Sequence, residues 1–469
     1  MPDNVIQNVW LPELAYVDGE FRKDVAVISD RNGLVASLRS SKEIEEKPEA
    51  FRTFPLKNKA LLPGLINGHS HAFQRVIRGR TEYRSQNTTD SFWTWRELMY
   101  RAANKLDVND IYAASRMAFL EMALSGITAV GEFHYIHHSP TGEPYDDPNT
   151  LAREVIRAAN DVGLRIALLR VAYERAGFQK EPEPLQARLI ESSQTYLKNL
   201  EQLFSVKSDM AWVGAAPHSV RAVSLNYIKE VDAFVKQHNI PIHMHVAEQP
   251  AEVSGCIEEY GRSPVALLDT EGILTENFTA VHAIHVTSKA IEAVARKRAT
   301  VCACPTTERN LGDGVVPVDE YFRASVPVSV GTDSQTQIDL LEDTRELEYH
   351  LRLQRKERNV LSPSDDTSTS ALAGNLFACA TVNGAKSIGF NGGQLVAGSP
   401  ADFFTVDLDD PTIAGASPDD LLANIVFSLS RSAVKDVVVG GKVVVNEGTH
   451  ELQEEIINDF QNLQKRLWN

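Results

Sequence analysis

Leu61-Leu62-Pro63-Gly64-Leu65-Ile66-Asn67-Gly68-His69-Ser70-His71 decides how this chain is read. An apolar run stops at two histidines spaced i, i+2. Alternate side chains of an extended strand point to one face. His69 and His71 therefore aim their imidazoles at one point, as two ligands of one metal ion must. The run ahead of them lacks alternation, the pattern of a strand buried on both faces. Two polar residues in a loop after a strand would look the same, so the decision passes to the rest of the chain.

Downstream, apolar strand-like runs alternate with helix-like segments. The runs are Ala60–Ile66, Thr128–Phe133, Arg165–Tyr173, Met210–Pro217, Pro241–Ala247, Phe278–Ile284, Thr300–Pro305 and Val326–Gly331. Between the first two, Asp107 is an N-cap, Ile111, Ser115, Ala118 and Met122 track one helical face, and Gly126 is the stop. A long charged helix over Leu340–Arg358 follows the eighth run, and the polar stretch 362–370 reads as a surface loop. Eight strand–helix units predict a parallel (β/α)8 barrel of the TIM type, with its active site at the C-terminal ends of the strands.

Both ends of the chain read differently. Asp18-Gly19 separates Leu14–Val17 from Val25–Ile28, Asn32-Gly33 precedes Leu34–Ala36, and Gly440-Gly441 joins Val437–Val439 to Lys442–Val445. These are hairpin signals between short strands. The expected fold is α/β. It comprises a small β-sandwich domain built from both termini (1–60 and 393–450), the barrel over 61–392 and a C-terminal helix over 451–469.

Composition narrows the class of function. The formal net charge is −16, which argues against a nucleic-acid binder, expected to be basic. No run of about 18 uncharged apolar residues exists to span a membrane. Met1-Pro2-Asp3-Asn4 lacks the charged and apolar regions of a leader. Four cysteines (Cys256, Cys302, Cys304, Cys379) are too few for a disulfide framework, so a cytoplasmic protein is expected. Cys302-Ala303-Cys304 lacks the spacing of a zinc ribbon and reads as small apolar residues in a buried strand.

The predicted strand ends carry the chemistry. Strand one ends in His69 and His71, strand two in Glu132-Phe133-His134-Tyr135, and strand four in His218 with Arg221 close behind. Strand five holds His243, His245 and Glu248, strand six His282, and strand eight ends in Asp333. Imidazoles and a carboxylate converging on one barrel mouth suit zinc, which takes such ligands at about 2.0–2.2 Å. His243 and His245 share a face, so either could be the ligand. His134, His137 and His138 read as loop residues or supports behind the ligands.

This set resembles the amidohydrolase superfamily: His-x-His at strand one, histidines at strands five and six, aspartate at strand eight. Gly393-Gln394-Leu395 with Gly398-Ser399-Pro400-Ala401-Asp402 resembles the superfamily's return into the β domain. Gly68–Arg75, Ser91-Phe92-Trp93-Thr94-Trp95-Arg96-Glu97-Leu98, Glu132–Tyr135 and Asn310–Gly314 are similar to the formimidoylglutamate deiminase family, along nearly the whole chain. One departure is Gln335 after Asp333-Ser334, where that family has histidine; it bears on fine substrate choice.

The resemblance implies zinc-dependent deimination of N-formimino-L-glutamate to N-formyl-L-glutamate and ammonia, in histidine degradation. It implies one zinc on His69, His71, His245 and Asp333, with Pro217-His218 standing where two-metal relatives carry a bridging lysine. Zinc lowers the pKa of water toward about 7. By the same resemblance Asp333, His282 and Glu248 are the proton-handling residues. Gln74, Arg96, Tyr135, His218 and Arg221 hold the substrate, with the two guanidiniums suited to its carboxylates. A homodimer with no nucleic-acid or membrane partner is expected. Two other readings compete. One is a superfamily deaminase of a purine, pyrimidine or guanidino compound. The other is a non-catalytic relative, which should have lost ligands that this chain keeps.

Overall fold

At Gly64 the chain passes from one sheet to another. Strand Phe51–Pro63 ends there and strand Leu65–Ser70 begins. The first pairs with Gln7–Val17 on one side and Phe403–Asp407 on the other. The second pairs in parallel with Ile127–His134. A Cβ on residue 64 would lie 2.3 Å from Thr128 Oγ1, so only glycine allows this approach. The run read as one strand over Ala60–Ile66 is thus two. Leu61–Pro63, expected to open the barrel, sit in the other sheet because strands from both termini take their backbone hydrogen bonds. The computed structural model describes residues 7–46, 51–84 and 91–469; Met1–Asn4, read above as lacking a leader, lie outside them.

The barrel is an eight-stranded parallel sheet whose strands neighbour one another in chain order. After Leu65–Ser70 and Ile127–His134 come Arg165–Ala172, Ala211–Pro217, Ile242–Val246, Phe278–His282, Thr300–Ala303 and Val328–Val330. An isolated parallel bridge joins Ser70 to Asp333. There the Asp333 N–H donates to the His69 carbonyl at 3.1 Å and the His71 N–H to the Asp333 carbonyl at 3.0 Å. The last strand end is thereby pinned to the first. Every residue of Ile127–His134 and Arg165–Ala172 is buried, because helices cover the outer face while side chains fill the interior.

The covering helices follow their sequence signals. Helix Val108–Leu124 starts at Asp107, whose side chain accepts the Asp110 N–H in a reciprocal capping box. Ile111, Ser115, Ala118 and Met122 are all buried, and Gly126 follows with φ +88°. Helix Leu340–Arg355 ends three residues before the expected Arg358, because Lys356 turns to φ +59°.

Strands from both ends of the chain form one nine-stranded sheet, the shape taken by the β domain expected from both termini. Trp10, Leu61, Phe403 and Val438 pack together with Leu395 and Ala401 of the return segment. Helix Leu421–Ser428 falls within the span assigned to this domain. It docks on the barrel instead: Arg345 Nε donates to the Val426 carbonyl at 2.9 Å. Helix Gln453–Trp468 closes the chain and lies on Val108–Leu124, with Arg116 Nη1 2.8 Å from Glu455 Oε1. Among the described residues no helix is long and apolar enough to cross a membrane.

Candidate active site

Four side chains converge where the first, fifth and eighth strands end. His69 Nε2 and His71 Nε2 are 3.2 Å apart, and Asp333 Oδ1 lies 3.2 Å from His71 Nε2 and 3.6 Å from His69 Nε2. With His245 added, one ligand atom from each of the four falls within 4.8 Å of all the others. The aim of two rings is fixed from behind: His71 Nδ1 bonds the Phe133 carbonyl at 2.9 Å, and His245 Nδ1 bonds the His218 carbonyl at 3.1 Å. A ring nitrogen tied to a carbonyl leaves the other as the free lone pair. Burial pushes His69 down to about 3 and His245 well below its usual value, so both rings are neutral. Burial opposes ionisation of Asp333, but the imidazoles of His69, His71 and His282 beside it hold it well below the usual carboxylate range. Neutral imidazoles and a carboxylate crowding one point present lone pairs to each other, an arrangement that a divalent cation relieves. The four residues therefore fit a metal ion.

His243 is not part of this group. Its Nε2 bonds the Ser387 carbonyl at 2.7 Å inside the barrel, which leaves His245 as the fifth-strand donor. His137 and His138 bond the Val171 and Ile190 carbonyls, and neither lines the cavity above the metal group.

Beside the metal group stands a row of acids around His282. His282 Nε2 is 3.7 Å from Asp333 Oδ2 and 3.7 Å from Glu248 Oε1, with no hydrogen-bond partner of its own. Its Nδ1 bonds Glu308 Oε1 at 3.1 Å, and that oxygen also accepts the Cys304 N–H at 2.8 Å. Burial opposes a charge on His282, yet Glu248, Glu308 and Asp333 together hold its pKa well above the usual value. Burial pushes Glu248 upward. Behind it Glu252 accepts the backbone N–H groups of Ala247 and Glu248, and burial raises it to about 7. Ala247, His282 and Asp333 all have positive φ, at +52°, +68° and +43°. Such backbone persists where the surrounding structure holds it, as at active sites.

Over this floor lies a small cavity lined by each residue assigned to the substrate. Gln74, from the short helix Ala72–Ile77, donates Nε2 to the Tyr135 hydroxyl at 2.9 Å, while its Oε1 is buried without a partner. Arg96 comes from helix Phe92–Ala103 and stacks 4.6 Å above the Trp93 ring, with Arg221 5.7 Å from the same ring. Nη1 of each arginine is buried and unpartnered. Neither guanidinium has an ion pair among the described residues. Two free cations in one cavity are a site for anionic groups.

Residues 60–444 match the amidohydrolase family. The chain belongs to that family. It is 37% identical to the formimidoylglutamate deiminase of Pseudomonas aeruginosa, over 86% of this chain and 88% of that one. It is 27% identical to a 5-methylthioadenosine/S-adenosylhomocysteine deaminase of Natronomonas pharaonis, over 84% of each. The crystal structure of an amidohydrolase from Brucella melitensis superposes with a TM-score of 0.87 at 29% identity, covering 99% of this chain and 100% of that one. The protein is thus a hydrolase acting on carbon–nitrogen bonds.

Glu308 of this amidohydrolase site is absent from the sequence reading, and Cys304 and Gln335 take places other than those read for them. Glu308 sits two residues before the Asn310–Gly314 motif, and nothing in its spacing links it to His282. Cys304, read as apolar filler, is buried as expected but joins His282 and Glu308 in one tight group. Gln335 lies off the cavity. It is fully buried and donates Nε2 to Ser70 Oγ at 2.8 Å and to the Asp333 carbonyl at 2.9 Å. Ser70 in turn donates to Glu132 at 2.5 Å, so Gln335 braces the seam between the first and last strands.

Proposed function

We propose that the protein is a zinc-dependent formimidoylglutamate deiminase that hydrolyses N-formimino-L-glutamate to N-formyl-L-glutamate and ammonia in histidine degradation. The observation that carries this reading is the pair of guanidiniums, Arg96 and Arg221, that have no ion pair among the described residues and face the same cavity as the His–Asp group. A substrate with two carboxylates needs two such groups; a nucleobase needs neither. Similarity to the Pseudomonas aeruginosa deiminase supports it.

His69, His71, His245 and Asp333 would hold one zinc per chain, and zinc when bound supplies the Lewis acidity that brings the pKa of water toward about 7. Asp333 Oδ2 is the base that takes a proton from water, and His282 Nε2 holds the oxygen in line with the formimino carbon. Gln74 and Tyr135 orient the formimino group, and His218 adds a hydrogen bond. As the new C–O bond forms, the C=N π pair moves to nitrogen. Glu248 gives that nitrogen one proton and relays to it a second from the intermediate's hydroxyl. The oxygen pair so freed closes the C=O bond as the C–N bond breaks. Ammonia leaves with both electrons of that bond, and the proton held on Asp333 returns to Glu248.

The test is ammonia release from N-formimino-L-glutamate beside 5-methylthioadenosine, cytosine and guanidino acids, with the metal content measured on the same sample. Turnover of the dicarboxylate alone, with one zinc per chain, is expected. Turnover confined to a nucleoside, nucleobase or guanidino acid would replace this reading with the corresponding deaminase.

A further inference from the structure

Two tyrosines outside the sequence reading sit in the wall of the substrate cavity. Tyr100 lies on helix Phe92–Ala103, one turn beyond Arg96, and Tyr173 follows the third barrel strand. They are 4% and 1% exposed, and both line the cavity beside Arg96 and Arg221. The Arg96 guanidinium lies 5.6 Å from the centre of the Tyr100 ring. The two hydroxyl oxygens are 2.7 Å apart.

The hydrogen count around this pair is unbalanced. Gln186 donates Nε2 to both oxygens, at 3.3 and 3.4 Å. Its Oε1 accepts the Glu183 N–H at 2.9 Å, which fixes the amide with its nitrogen toward the tyrosines. The pair owns two hydroxyl hydrogens, and the 2.7 Å contact uses one. The other has no acceptor among the described residues, since Gln186 presents N–H groups and both arginines carry only donors. A buried hydroxyl hydrogen left without an acceptor is destabilising. The surplus hydroxyl hydrogen and the two unpartnered arginine Nη1 groups border one cavity, and all three call for acceptor oxygens.

We propose that the Tyr100–Tyr173 pair is a specificity-determining anchor, whose spare O–H donates to a carboxylate oxygen of the substrate beside the two arginines. Burial pushes the Tyr100 hydroxyl far above its ordinary value, so Tyr100 keeps its proton at any working pH. The inference rests on the dicarboxylate reading of the substrate. It adds a neutral donor that binds the ground state and the transition state alike, so its loss acts on KM rather than kcat.

The experiment compares Tyr100→Phe, Tyr173→Phe and the double variant with wild type on N-formimino-L-glutamate, all zinc-loaded. The double variant is expected to raise KM at least about tenfold with kcat within about threefold. The single variants should differ from each other. Each single variant keeps one hydroxyl hydrogen without a tyrosine acceptor, on Tyr173 in Tyr100→Phe and on Tyr100 in Tyr173→Phe, and only the one whose oxygen reaches the carboxylate keeps the contact. Zinc content and circular dichroism show whether each variant folds, and if the double variant does not, the inequality of the singles decides. A KM unchanged within twofold in all folded variants of an active enzyme overturns the role of the pair alone. A wild-type enzyme that releases no ammonia from this substrate overturns both the pair's role and the reading beneath it.

Discussion

Oδ1 of Asp333 faces His69 and His71, whereas Oδ2 faces His282. One carboxylate is thus placed to serve, in the proposed reaction, as ligand and as base. Asp333→Asn weakens the first role and removes the second, so turnover is expected to fall to background; near-normal activity in that variant would exclude the base. Glu308 works one step further out. It fixes the His282 ring from behind, and losing such a support behind a functional histidine costs about 10–100-fold. Glu308→Gln is expected to lower kcat by that factor with little change in KM, and a large KM effect at constant kcat would contradict a positioning role. On the proposed dicarboxylate substrate Arg96 and Arg221 would bind the carboxylates, so replacing either by Ala should cost about 2–5 kcal/mol in kcat/KM while zinc is retained. Lysine keeps the charge but loses the planar fork, and should also be poorly tolerated. The loss should shrink on an analogue lacking the matching carboxylate. An equal loss on the full and truncated substrates would show that the arginines do other work.

Behind the second and third strands, Arg170 on the third barrel strand ties strand to helices. Its Nη2 lies 3.0 Å from Glu191 Oε1, and its Nε donates to Asn149, the residue before helix Thr150–Val162, at 3.0 Å. Glu191 also accepts from Asn199 of helix Ser193–Gln202 at 2.7 Å. Burial alone would raise the Glu191 carboxyl, but His137 and Arg170 hold it down to about 2. A carboxyl whose folded pKa is depressed contributes stability that is complete above its ordinary value near 4.5. That stability is lost as pH falls toward the folded pKa. Glu191→Gln should therefore destabilise the protein at pH 7, and the gap from wild type should narrow between about pH 5 and pH 2. Denaturant melts across that range check it; a gap independent of pH would contradict the assignment.

On the scale of the whole chain, the barrel and the β domain share a buried ion pair. Arg165, at the base of the third strand, lies with Nε 2.6 Å from Asp402 Oδ2 and Nη2 3.0 Å from Oδ1. Asp402 ends the return motif, and its Oδ1 also accepts the Gly440 N–H at 2.6 Å while its carbonyl accepts the Gly64 N–H at 3.0 Å. One residue thus joins the barrel, the hairpin turn and the glycine where the chain changes sheets. Asp402→Asn leaves Arg165 buried without its counter-charge, at a cost of about 3–5 kcal/mol. Metal content and KM should be unchanged in the folded fraction. A denaturation midpoint equal to wild type would show that the seam does not depend on this pair.

The alternation of strands with helices and the strand period of two are local properties, and they placed His69, His71, His245, His282 and Asp333 at strand ends from sequence alone. Hairpin glycines marked both halves of the β domain for the same reason, since a turn's φ requirements are written in its own residues. What sequence could not decide was depth. His243 and His245 share a face, and two residues of rise, about 6.6 Å along a strand, separate a histidine bonded to Ser387 within the barrel from one at its mouth. Nor could it pair residues far apart in the chain. Tyr100 meets Tyr173 across 73 positions, and Gln335 reaches Ser70 across 265. No periodicity records such contacts. They exist because closing the barrel brings the last strand against the first, and because helix Phe92–Ala103 packs over the mouth that the closure creates.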